Sequence, residues 1–181
     1  MAEEFVDAHD PDAHARDGKE EGNAYFRSGA YEEAATAYTA ALEVAESSEL
    51  RAALFANRAA SYGKLEKREN VVADCTAALE LDPAYVKALV RRAHAYEADE
   101  KLEEAIADLK KADELAPSPP RRRHILDLEK RRETRDQQLR DEALGKLKDL
   151  GNSVLGHFGM SLDSFAMEQT EGGGYNISYK P

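Results

Sequence analysis

A repeat decides most of what this chain can become. Residues 15–48, 52–85 and 86–119 superimpose as three 34-residue units once their small and aromatic positions are aligned, a period at which a helix–turn–helix recurs. In the first unit Gly22, Tyr25, Gly29, Tyr31, Ala34, Tyr38 and Ala41 fall where two short helices in close contact need no side chain or a large flat one. The second repeats the theme with Ala59, Tyr62, Cys75, Ala78 and Pro83, the third with Ala93, Tyr96, Ala105, Leu109, Ala112 and Pro117. Pro83 and Pro117 stop the outer helix of their units, because proline cannot continue the helical hydrogen-bond ladder. The first unit lacks that proline and ends in the longer link "EVAESSEL". Each unit can bury its apolar face only against its neighbours, so three are about the minimum for a continuous core.

These units resemble the tetratricopeptide repeat family over residues 15–119. The resemblance implies an all-α, three-repeat helical solenoid. In the second unit Glu66 and Arg68 stand at the usual glycine and tyrosine positions, which predicts a less tightly packed second hairpin. Such arrays need a cap at the open end. Residues 120–150 supply one, with Ile125, Leu128, Leu139, Leu144, Leu147 and Leu150 spaced as on a long amphipathic helix. Its first part is expected to pack on the third repeat and its charged remainder to project into solvent. The ten residues "EKRRETRDQQ" are polar on every side, which allows bridging, bending or fraying.

Composition narrows the function classes. The formal net charge is −11, opposite to the basic excess that phosphate tracking needs, so general nucleic-acid binding is not expected. The single cysteine, Cys75, excludes an intrachain disulfide and sits at a packing position, where a small buried thiol is the expected role. No apolar run has the length of a membrane span, and residues 1–14 read as an acidic, disordered leader, so the expected location is cytoplasmic. His9, His14, His94, His124 and His157 show no ligand spacing, and no phosphate loop or nucleophile elbow is present. No catalytic residue, metal site or cofactor is expected.

Five polar residues instead form the candidate site: Lys19, Asn23, Asn57, Lys87 and Arg91. Lys19 and Asn23 are four apart and share one face of the first inner helix, as Lys87 and Arg91 do on the third; Asn57 lies on the inner helix between them. Inner helices line the concave face of a repeat solenoid, so all five are expected to converge. Asparagine donates without charge, lysine brings a compact cation, and arginine presents a planar fork suited to carboxylate. Together they suit a peptide ending in aspartate, which carries one carboxylate on its side chain and one on its main chain. This is similar to the two-carboxylate clamp of tetratricopeptide co-chaperones, which bind the C-terminal Glu-Glu-Val-Asp of 70-kDa and 90-kDa heat-shock chaperones. Phe26, Ala60 and Lys64 are further candidates for contact with the peptide, and a packing or surface role for Lys64 stands equally open. His94 flanks the same groove on this spacing.

Residues 151–181 are punctuated by glycine and contain two alternating runs that predict a hairpin over 165–179. "LGKLKDLGNSVLGHFGMSLDSF" and "GGGYNISY" resemble the C-terminal segment of the tetratricopeptide repeat protein 1 family, although His157 stands where relatives have proline. That resemblance implies a chaperone-binding adaptor, with Ras-type GTPases and G-protein α subunits as partner classes. A tail folded against its own solenoid and a tail that meets a partner both fit. A signalling scaffold with chaperone binding secondary is the alternative to a co-chaperone.

Overall fold

The computed structural model of the chain describes residues 10–169 and 175–179. Among these described residues seven α-helices run in order, α1 (Ala13–Ser28), α2 (Tyr31–Val44), α3 (Ser48–Lys64), α4 (Arg68–Leu81), α5 (Val86–Ala98), α6 (Leu102–Leu115) and α7 (Pro119–Gly156), followed by strands β1 (Phe165–Gln169) and β2 (Tyr175–Tyr179). They form two compact units, Met1–Glu129 and Lys130–Pro181.

The first unit is a stack of helical hairpins, α1/α2, α3/α4 and α5/α6, each packed on the next through its core side chains. Glycine and tyrosine make the first hairpin close. A Cβ at Gly22 would lie 2.5 Å from Cε1 of Tyr38, whose side chain is only 1% exposed. The turn inside every hairpin is built alike. The carbonyls of Tyr25, Tyr62 and Tyr96 accept the N–H of Ala30, Lys67 and Lys101, and the residue before each of these donors takes a left-handed backbone: Gly29 at φ 85°, Glu66 at 57° and Glu100 at 55°. The loosening expected of the second hairpin is not seen. Glu66 adopts the conformation that glycine would take, at a strain of order 1 kcal/mol, and Cys75 and Ala78 still pack at 0% exposure.

α4 and α6 end two residues before Pro83 and Pro117. α2, which lacks that proline, is closed by Asp12, whose carboxylate accepts the N–H of Glu46 at 2.7 Å and of Ser47 at 3.3 Å. Hydrogen bonding from Ser47, and then from Glu46, holds the Asp12 carboxyl below the usual carboxylate range. This corrects the reading of residues 1–14 as a disordered leader: Asp12 is 3% exposed and structural, α1 begins at Ala13, and residues 1–9 lie outside the described ones. Arg51 donates to the last carbonyls of α2, and Arg121 does the same for α6, placing a cation at the negative end of these two outer helices.

A polar ladder ties successive repeats together. Arg58 forks onto Asp74 at 2.7 and 2.8 Å and donates to Thr39 of the preceding hairpin. Arg92 repeats the pattern with Asp108 and Thr76. The open end is capped by the start of α7, where Ile125 and Leu128 join Leu102, Ile106 and Leu109 in one buried cluster.

In the second unit α7 runs without a break through "EKRRETRDQQ" to Gly156, six residues past the expected end at 150. The glycine-rich segment therefore begins as helix. Gly151 lies within the helix, and its missing side chain admits Leu162, which would lie 2.7 Å from a Cβ there. The helix closes at Gly159, φ 70°, with the N–H of Met160 bonded to the carbonyl of Leu155. The N–H of Leu162 then bonds Oδ1 of Asn152, so the approach to β1 packs on the end of α7. β1 and β2 pair antiparallel, Phe165 opposite Tyr179 and Met167 opposite Ile177; the intervening "TEGGG" lies outside the described residues. Among the described residues, no helix is long and apolar enough to cross a membrane.

Candidate functional site

The inner helices α1, α3 and α5 carry the five polar residues. Asn23 is the centre of the arrangement. Its Oδ1 accepts the hydroxyl of Tyr38 at 2.8 Å and Nδ2 of Asn57 at 3.2 Å, so three helices share one oxygen. Loss of hydration pushes the Tyr38 hydroxyl's pKa up, with Glu20 adding to the effect, and the phenol stays a neutral donor. With Oδ1 occupied on the inner side, the Asn23 amide donates from Nδ2 to Oε1 of Glu20 at 3.3 Å. The ammonium of Lys19 lies 4.0 Å from the same oxygen. Lys19 and Asn23 thus already meet a carboxylate, that of Glu20.

Arg91 reaches from α5 to α3, donating from one guanidinium nitrogen to the carbonyl of Ala56 at 3.0 Å. That single bond leaves most of the donor fork for other acceptors. Lys87 lies one turn earlier on α5 and is exposed. Arg91, Phe26, Ala60, Lys64 and His94 line one open cavity of about 490 Å³ between α3 and α5, floored by Ala59, Gly63 and Ala95. Of the five residues first singled out, only Arg91 borders that cavity; Asn23 and Asn57 are joined beside it, and Lys19 and Lys87 stand on the faces of α1 and α5. The apolar part of the groove is therefore made by Phe26, Ala60 and their small neighbours, and Lys64 adds a cation to its wall.

Sequence reasoning missed three things here. Glu20 was passed over because it is one carboxylate in an acidic helix. The pair between His124 on α7 and Glu97 on α5, Nε2 to Oε2 2.8 Å, joins positions that no repeat relates. The Arg58–Asp74 and Arg92–Asp108 forks do recur at matched repeat positions, and that recurrence was the signal available. Cys75 is confirmed as a buried thiol, its pKa pushed up to about 12 chiefly by burial, which removes it as a nucleophile. Among the described residues no group of three or more metal-ligating side chains assembles.

The tetratricopeptide repeat model matches residues 20–48 and 86–119. Among solved structures, the first repeat domain of Spaghetti (RPAP3) bound to the HSP90 peptide SRMEEVD is 33% identical with a TM-score of 0.62, covering 68% of this chain and 96% of that one. The second repeat domain of human RPAP3 in complex with the HSP70 peptide SGPTIEEVD is 34% identical with a TM-score of 0.60, covering 66% and 98%. Among curated proteins, the mitochondrial import receptor subunit TOM70 of Homo sapiens is 44% identical over 81 residues, 44% of this chain. The chain spans only 13% of TOM70's length in that match.

Proposed function

Because this chain belongs to the tetratricopeptide repeat family, matching nearly the full length of solved repeat domains, we propose that its groove receives the acidic C-terminal tail of 70-kDa or 90-kDa heat-shock chaperones through a two-carboxylate clamp. Lys19, Asn23, Asn57, Lys87 and Arg91 are the clamp; Phe26, Ala60 and Lys64 contact the residues before the terminal aspartate. The protein acts as a binding adaptor and not as an enzyme. The observation that carries the reading is the Glu20 carboxylate, which sits on Asn23 at 3.3 Å and beside Lys19 at 4.0 Å. It occupies the ground that an incoming carboxylate would take, and an i, i+3 neighbour on an exposed helix face is easily displaced. Two solved relatives of similar fold hold peptides ending in Glu-Glu-Val-Asp, which supports the same chemistry in this groove.

Charge-assisted hydrogen bonds contribute about 1.5–3 kcal/mol each, and ordering a flexible tail offsets part of that. Micromolar affinity, about −8 kcal/mol, is the expected scale. Calorimetry with the free-acid peptide SRMEEVD, its amidated form and a Lys87→Ala variant tests the clamp. Lys87 is the cleaner substitution, since Arg91 also holds α5 to α3. Micromolar binding lost in both controls with helicity unchanged supports the clamp; equal affinity in either control sinks it.

A second reading is a signalling scaffold for a folded partner such as a Ras-type GTPase or G-protein α subunit. The exposed Leu139, Leu144, Leu147, Leu150 and Val154 on α7 favour it, each 57–64% exposed. Lys87→Ala would leave that activity intact.

A further inference from the structure

We propose that His94 is a titrating wall of this groove, so that capture of an acidic peptide end takes up a proton and tightens as the solution turns mildly acidic. The proposal rests on the acidic-peptide reading above and assigns its regulation. His94 follows Arg91 by one helical turn on α5 and lines the same cavity as Arg91, Lys64 and Phe26. Its ring lies 5.8 Å from that of His124 on α7, tilted by 41°. His124 in turn donates from Nε2 to Glu97 at 2.8 Å. The groove edge is thus built against a histidine that links the capping helix to α5.

The charged and titratable groups that share the groove with His94 or face it are Lys64 on α3, Glu66 and Arg68 at the turn into α4, Arg91 and Glu97 on its own helix, and His124 on α7. In the free chain these surroundings disfavour a second cation. Although the residue remains exposed at the groove edge, lost hydration of the ring lowers its pKa first and His124 lowers it further, against a smaller opposing pull from Glu97. A peptide whose carboxylates dock at Arg91 brings negative charge to the open side of the imidazole. Opposite charge within a few ångströms raises a histidine pKa by about one unit or more.

The sign follows from linkage. Above the pKa of the bound state His94 is neutral with or without peptide, and affinity does not depend on it. Below the pKa of the free state it is charged in both, and the full gain is present. Between the two, affinity rises as pH falls, by up to about tenfold for a one-unit shift. The peptide's own carboxylates stay ionised down to about pH 5, so the window lies at roughly pH 5–7.5, where only histidine among ordinary side chains titrates.

The experiment is calorimetry of the free-acid peptide SRMEEVD against the full chain from pH 5.5 to 8, in pairs of buffers with different ionisation enthalpies. The expected result is fractional proton uptake that peaks between the two pKa values, at about half a proton for a one-unit shift, with affinity up to about tenfold tighter at the acid end. In His94→Gln the proton uptake and the pH dependence of affinity both vanish, whatever the affinity at pH 8. An NMR titration of the His94 ring should move its midpoint upward when peptide is added. Binding with no proton uptake, or with uptake unchanged in His94→Gln, overturns the proposal and leaves the clamp standing. No binding at any pH overturns the clamp, and the proposal falls with it.

Discussion

At the scale of single residues, the site depends on groups whose freedom has been removed by packing. Asn23 points its amide outward because Tyr38 and Asn57 hold its oxygen, and Tyr38 reaches it only because Gly22 leaves the ring room. Gly22→Ala would force that ring aside. It should destabilise the fold by about 1–3 kcal/mol, the usual cost of overpacking, and should weaken peptide binding as well, since the Asn23 amide loses its anchor. Thermal unfolding and calorimetry on one sample check both; an unchanged melting temperature would show that the ring moves freely. Glu20 works in the opposite sense. Glu20→Gln removes the resident carboxylate, so affinity for an acidic peptide should rise about twofold, within the 0.2–1 kcal/mol typical of exposed ion pairs, and weaker binding would mean that Glu20 orients the clamp instead of occupying it. Much of this was readable beforehand. Asn57 and Arg91 share one position of the aligned repeat, and Lys19 with Asn23 and Lys87 with Arg91 stand at i, i+4 on their helices, whereas the roles of Glu20 and Tyr38 appear only when α1 and α2 are laid against each other.

At the scale of elements, the three hairpins reach one geometry by different means. Gly29 takes its left-handed backbone freely, but Glu66 and Glu100 are strained at φ 57° and 55°. Glu66→Gly and Glu100→Gly should each stabilise the chain by about 0.5–1 kcal/mol, the relief of strain being partly offset by the greater freedom of glycine when unfolded. Urea unfolding with an unchanged slope is the check. The Arg58–Asp74 fork, 17% and 8% exposed at its side chains, gives a prediction of opposite sign. Asp74→Ala strands a largely buried guanidinium and should cost about 3 kcal/mol, while Arg58→Met with Asp74→Leu should be close to neutral. A double-mutant cycle decides whether the fork is a net stabiliser or a register device. The looser second hairpin expected from Glu66 and Arg68 failed for a plain reason: a single φ can absorb a missing glycine without moving the helices it joins.

At the scale of the whole molecule, the proposed function sets a chain of net charge −11 to collect an acidic tail. Long-range repulsion opposes the encounter, and local donors hold the ligand once it arrives. Raising salt should therefore leave the association rate flat or slightly faster while the dissociation rate climbs, because the Debye length shrinks from about 10 Å at 0.1 M to about 3 Å at 1 M. Stopped-flow kinetics separates the two; an association rate that falls steeply with salt would point to attractive steering. The sequence by itself determined the repeat, the hairpins and the long C-terminal helix. Each of those rests on a periodicity of about two helices or less, which local propensity and apolar spacing encode directly. Only the tertiary structure decided that Asp12 closes α2, that α7 continues past Gly151 with Leu162 packed on that glycine, and that His94 faces His124 across two helices. Those contacts join residues that no period relates, so they exist only once the helices have packed and brought them within reach.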